Sequence, residues 1–143
     1  MHYPPFERAP ASIRRGSRWQ RVALAFVFLW FLFGGMAHFV FTDAEMRIVP
    51  PELPAPRLLV LVSGLCELLG AAGLLRERTR RAAGWGLVLL TIAVTPANVY
   101  MLRAHDQFPM PEWLLWARLP FQLVLLWLIF WGSRWRAARP LYR

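Results

Sequence analysis

Four long apolar stretches, at 22–41, 58–75, 82–102 and 113–132, leave this chain few ways to fold. Each is long enough to cross a hydrocarbon layer of about 30 Å at about 1.5 Å of helix rise per residue. In a 143-residue chain that is 57% hydrophobic, little sequence remains from which to build a separate soluble core. The expected architecture is an all-α, four-helix transmembrane bundle. Its domain plan is a flexible basic arm at 1–18, a four-span membrane domain at 19–135 and a basic tail at 136–143. The prolines Pro4, Pro5 and Pro10, with Gly16, keep the arm from reading as a helix.

Charge orients the bundle. All 17 basic residues are arginines. Arg8, Arg14, Arg15, Arg18 and Arg21 precede the first span; Arg76, Arg78, Arg80 and Arg81 fill the second connection; Arg134, Arg136, Arg139 and Arg143 follow the last span. The other two connections mix Arg47, Arg57 and Arg103 with Asp43, Glu45, Glu52, Asp106 and Glu112. This alternation follows the positive-inside rule and predicts that both termini lie in the cytoplasm, with the 42–57 and 103–112 loops outside. The net charge of +9 is then a rim facing anionic headgroups, and no nucleic-acid-binding module accompanies it. Residues 34–37 mimic a signal-peptide cleavage site, but the preceding basic region is too long and the apolar run continues to Phe41, so the first span is expected to be retained. A single cysteine, Cys66, rules out an intrachain disulfide and a C-x-x-C dithiol.

Within the spans, small residues and polar interruptions carry the information. Gly64, Gly70 and Gly73, with Ser63 and Ala71, stand at spacings that let helix backbones approach closely. By the i, i+3, i+4 rule Glu67 shares a face with Gly64, Ala71 and Leu74, so it lies on the packed stripe. Pro96 is expected to kink the third span and free a carbonyl near Ile92, which Asn98 can satisfy. Pro50, Pro51, Pro54 and Pro56 predict a stiff extended cover after the first span. Trp113 and Trp116 at one end of the last span, with Trp127, Trp131 and Trp135 at the other, read as interfacial aromatic belts.

Five polar residues, His38, Glu67, Asn98, Arg118 and Gln122, interrupt the apolar spans. Counted from the loop ends, they fall roughly 5–15 Å below one face of the bilayer, and the opposite half holds nothing comparable. A carboxylate at that depth must be protonated, paired or facing water, which makes Glu67 a functional candidate by default. Arg118 and Gln122 are i, i+4 neighbours on one face. The structural alternatives are a Glu67–Arg118 ion pair that fixes register, His38 as an interfacial donor, and Gln122 as interhelical glue. No ligand spacing of the H-x-x-x-H or E-x-x-H kind supports a metal among His38, Glu67, His105 and Asp106. No nucleophile elbow, P-loop or dinucleotide fingerprint occurs.

Residues 34–39 (GGMAHF), 63–75 (SGLCELLGAAGLL), 95–101 (TPANVYM) and 118–122 (RLPFQ) together resemble the DoxX-like group of small bacterial membrane proteins. The resemblance runs over all four spans. It implies a four-helix bundle in the bacterial inner membrane, associated with redox systems; the lone cysteine departs from any autonomous dithiol chemistry. The leading functional expectation is a membrane subunit of a redox system that binds a quinone or lipid-like ligand in the outer half of the bundle. Arg118 and Gln122 would donate to ligand carbonyls, His38 or Glu67 would handle protons and Asn98 would position the ring. The alternatives are a structural or assembly protein whose polar residues hold helices, or a partner subunit, together, and a small transporter or oligomeric channel.

Overall fold

The computed structural model describes residues 17–134. The arm up to residue 16, Trp135 and the 136–143 tail, for which expectations are given above, lie outside the described residues. Helix α1 (Arg18–Val40) starts at a capping box: Ser17 Oγ accepts from the Gln20 amide at 3.2 Å, and Gln20 Oε1 accepts from the Ser17 amide at 2.9 Å. The short helix α2 (Thr42–Met46) and a series of turns follow, where an extended cover was expected. The Thr42 hydroxyl donates to the His38 carbonyl at 2.7 Å, tying the start of α2 back onto the end of α1. Helix α3 (Pro56–Leu75) has proline at its first position, where the missing N–H costs nothing. Ala55, just before it, is left-handed at φ 50°.

The third span is two helices rather than one kinked helix: α4 (Arg80–Ala93) and α5 (Thr95–Arg103). Pro96 has no N–H to donate one turn back and its ring crowds the carbonyl there, so the ladder stops and Val94 takes φ −87°, ψ −1°. A 3-10 turn, His105–Gln107, leads into α6 (Glu112–Ser133), which runs unbroken through Pro120. Among the described residues there is no strand. Four helical segments, Arg18–Val40, Pro56–Leu75, Arg80–Arg103 and Glu112–Ser133, are long and apolar enough to span a membrane. The protein is therefore a multi-pass helical membrane protein.

The helices pack in the cyclic order α1, α3, α4, α6. Two glycines bring α1 and α3 together: a Cβ on Gly64 would lie 2.6 Å from the His38 Cβ and 3.1 Å from the Gly35 carbonyl oxygen. Gly70 abuts Leu87 and Gly73 abuts Ala83, so both serve the α3–α4 contact. The packed core of Val27, Phe31, Ala71, Leu74, Leu87, Leu125 and Ile129 occupies the middle of the bundle and the half remote from α2. There the Arg80 Nε donates to the Leu74 carbonyl at 3.0 Å, satisfying an end carbonyl of α3. Large apolar side chains such as Phe33, Leu69, Leu89 and Leu123 face outward, where lipid and not water suits them. Among the described residues the α2 half has buried apolar side chains in Val60, Met101 and Leu115, but they stand outside that packed core.

Candidate functional site

The α2 half contains a cavity of about 840 Å³, and His38, Glu67, Asn98, Arg118 and Gln122 all line it. The depth argument from sequence brought these residues to one level; the helix rotations turn all five toward one space. Otherwise the wall is mainly aliphatic and aromatic, with Trp30 and Phe31 from α1, Val60 from α3, and Phe121 and Leu125 from α6. Ile48, Val49 and Pro50, from the turns after α2, roof it.

The polar groups sort into three arrangements, and two of them differ from expectation. Glu67 does not pair with Arg118. Its Oε1 lies 3.5 Å from Nε2 of His38, and both side chains are largely withdrawn from the surface. Geometry explains the choice: Gly64 brings α3 so close to α1 that the carboxylate reaches α1 before it reaches α6. Gly34 completes the seat, since a Cβ there would lie 2.8 Å from Glu67 Oε2. His38 faces the bundle as the partner of Glu67, and its buried Nδ1 has no hydrogen-bond partner among the described residues.

Gln122 is the centre of the second arrangement and is buried. Its Nε2 donates to the Thr91 carbonyl and to Thr95 Oγ1, each at 2.6 Å, and its Oε1 accepts from Asn98 Nδ2 at 2.9 Å. Gln122, reaching across from α6, thus satisfies the Thr91 carbonyl beside the break, together with the Thr95 hydroxyl, which donates to the same carbonyl at 3.3 Å. Asn98 does not bond the Ile92 carbonyl; it anchors the Gln122 amide. Thr91 and Thr95, one turn apart and either side of the break, were not read as part of the site. Their signal was the i, i+4 hydroxyl pair immediately before Pro96.

Arg118 makes the third arrangement. Its Nη1 lies 3.1 Å from the Met101 thioether, a weak acceptor. Among the described residues no carboxylate lies within salt-bridge distance of it. Chemically, the cavity thus offers a carboxylate–imidazole pair on the α1–α3 wall, the Glu45 carboxylate on α2 and an incompletely satisfied guanidinium on α6. The Gln122 amide between them is already committed. Among the described residues no group of three or more His, Cys, Asp or Glu is placed to hold a metal ion. Cys66 is exposed on the outer face of α3, away from the cavity.

Fold and cavity together define a multi-pass helical membrane protein with a largely apolar chamber, carrying a few polar groups, in one half of its bundle. The chain belongs to the family described as "Domain of unknown function (DUF8561)", which matches residues 24–136 and so takes in all four spans. No curated protein and no solved structure matches it.

Proposed function

We propose that this protein is a small membrane subunit of a redox system and holds a quinone or lipid-like ligand in the α2-half cavity. The observation that carries the reading is the convergence of five polar side chains, from all four spans, on one largely apolar chamber. Its volume falls in the range of small-molecule sites, and such sites combine apolar walls with a few placed polar groups. A quinone suits this layout, because its tail rests on apolar side chains while its carbonyls need donors. Arg118 supplies a guanidinium with donors to spare, and the His38–Glu67 pair supplies a group able to give or take a proton. Gln122 and Asn98 position the wall. The redox assignment leans on the resemblance of residues 34–39, 63–75, 95–101 and 118–122 to DoxX-like proteins. The arginine alternation supports placing the α2 end outside and both termini in the cytoplasm of a bacterial inner membrane.

Native mass spectrometry of the detergent-purified protein tests the reading. Wild type is expected to retain a quinone or other lipid-like molecule, and Arg118→Ala and Glu67→Gln to lose it while remaining folded. Protein that emerges empty from every form refutes the ligand. A structural or assembly role is the second reading, and Gln122 favours it, since three hydrogen bonds to α4 and α5 are what interhelical glue looks like. On that reading the variants lower bundle stability or the recovery of a partner subunit, with no bound molecule to lose.

A further inference from the structure

We infer that the cavity is filled sideways, from the bilayer, through the cleft between α3 and α5, so that its ligand is a membrane-dissolved amphiphile and not an aqueous solute. The inference rests on the ligand reading above and adds a route and a substrate class to it.

Three boundaries of the cavity decide the route. Toward the bundle end, the half-buried Ile48, Val49 and Pro50 lie over the chamber beside Glu45, and α2 is packed on α1 and α3, so a largely apolar roof separates it from water. On the α1–α6 flank Phe26, Leu29 and Phe33 also line the chamber and are exposed, but there the two helices pack together, and the Trp30 and Phe121 rings meet with centroids 4.7 Å apart and narrow the gap. On the third flank α5 packs on α6 and makes no substantial contact with α3. The chain itself causes this opening. Pro96 breaks the span at Val94, which frees α5 to take its own direction, and the Gln122 bonds to Thr95 and Asn98 hold it against α6. Cavity wall and lipid-facing surface become continuous there: Val62 on α3 and Ala93 at the end of α4 both line the chamber and both are exposed. Val62 lies about 9 Å along α3 from its first residue, at hydrocarbon depth and below the headgroups. A cleft at that depth admits a molecule already dissolved in the bilayer.

The test uses the full chain in phosphatidylcholine vesicles with palmitic acid carrying a diazirine near the end of its tail, photolysed and mapped by peptide mass spectrometry. In wild type, label resolved to single residues by fragmentation is expected on His38 and Glu67, inside the cavity, as well as on lipid-facing Leu123. Val62→Trp combined with Ala93→Trp fills the cleft from positions that already face lipid. It should lower the rate of cavity labelling several-fold and leave Leu123 labelling unchanged, while Val62→Phe gives a smaller drop in the same direction. Loosening the roof with Pro50→Gly should not change the lipid probe's rate. If the cleft-filling variants label the cavity as fast as wild type, or if Pro50→Gly raises that rate, lateral access through this cleft is overturned and the ligand reading stands. If wild type shows no cavity label at all, the ligand reading falls and the route falls with it.

Discussion

Replacing Gly64 with alanine probes the contact on which the whole site depends. The added Cβ would lie 2.6 Å from His38 Cβ and 3.1 Å from the Gly35 carbonyl oxygen. Carbon atoms pack at about 3.5–4.0 Å, so α1 and α3 must part by about 1 Å. One of the obstructing groups is backbone and cannot rotate aside. Overpacking of this kind costs about 1–3 kcal/mol, and the better helix propensity of alanine returns at most about 1 kcal/mol. With the full return the net loss is about 0–2 kcal/mol, and the deficit against a glycine-to-alanine change that gains the same propensity without the clash is about 1–3 kcal/mol. Gly86 supplies the control, since a Cβ there meets nothing within 4 Å and its replacement by alanine should be neutral or mildly stabilising. Reversible unfolding in mixed micelles, followed by circular dichroism for wild type, Gly64→Ala and Gly86→Ala, measures the difference. Gly64→Ala as stable as Gly86→Ala would show that α1 and α3 are not in close contact. The account of why Glu67 meets His38 would then be wrong.

Gly34→Ala separates the site from the scaffold: its Cβ meets only the movable Glu67 carboxylate, so stability should fall by less than about 1 kcal/mol while ligand retention in native mass spectrometry drops. A retained ligand would place Glu67 outside the binding contacts. Gln122→Leu removes three hydrogen bonds and should cost about 1–3 kcal/mol in the same unfolding assay, with membrane-embedded bonds worth about 0.6 kcal/mol on average and up to about 1.7; an unchanged midpoint would mean that α5 is not held by this amide. Ala55→Gly relieves a left-handed alanine, gaining about 1 kcal/mol in the folded state and losing part of it to the freer unfolded chain. It should be neutral to slightly stabilising, whereas Ala55→Val should be clearly worse; a marked loss with glycine would contradict the left-handed turn.

What the sequence made legible here was distance along the membrane normal. A helix converts residue number into depth almost linearly, so the spans, their ends and the common level of His38, Glu67, Asn98, Arg118 and Gln122 followed from counting. Rotation about each helix axis was legible only where small residues marked a face, as on α3, where Gly64, Ala71 and Leu74 do turn inward. Partner choice was not legible, because it depends on reach. Glu67 and Arg118 carry opposite charges, and nothing in their spacing prevents a pair; the closeness of α1, set by Gly64 on one helix and Gly34–Gly35 on the other, decides for His38.

Pro96 separates a forced defect from its repair. Proline guarantees a gap in the ladder, and that much is local chemistry. How the chain around the break is held is partly local, through the Thr95 hydroxyl on the Thr91 carbonyl, and partly tertiary, through Gln122 on another helix, whose long amide bonds the Thr91 carbonyl, Thr95 and Asn98 at once. That amide has a second effect. By holding α5 on α6 it leaves α3 without a neighbour on its α5 side in that half of the bundle, and the space that results is part of the cavity. A shorter side chain at 122 would leave the Thr91 carbonyl less satisfied and α5 free to fall back on α3, closing the chamber. The polar residue that most resembles passive glue is therefore the one that keeps the site open.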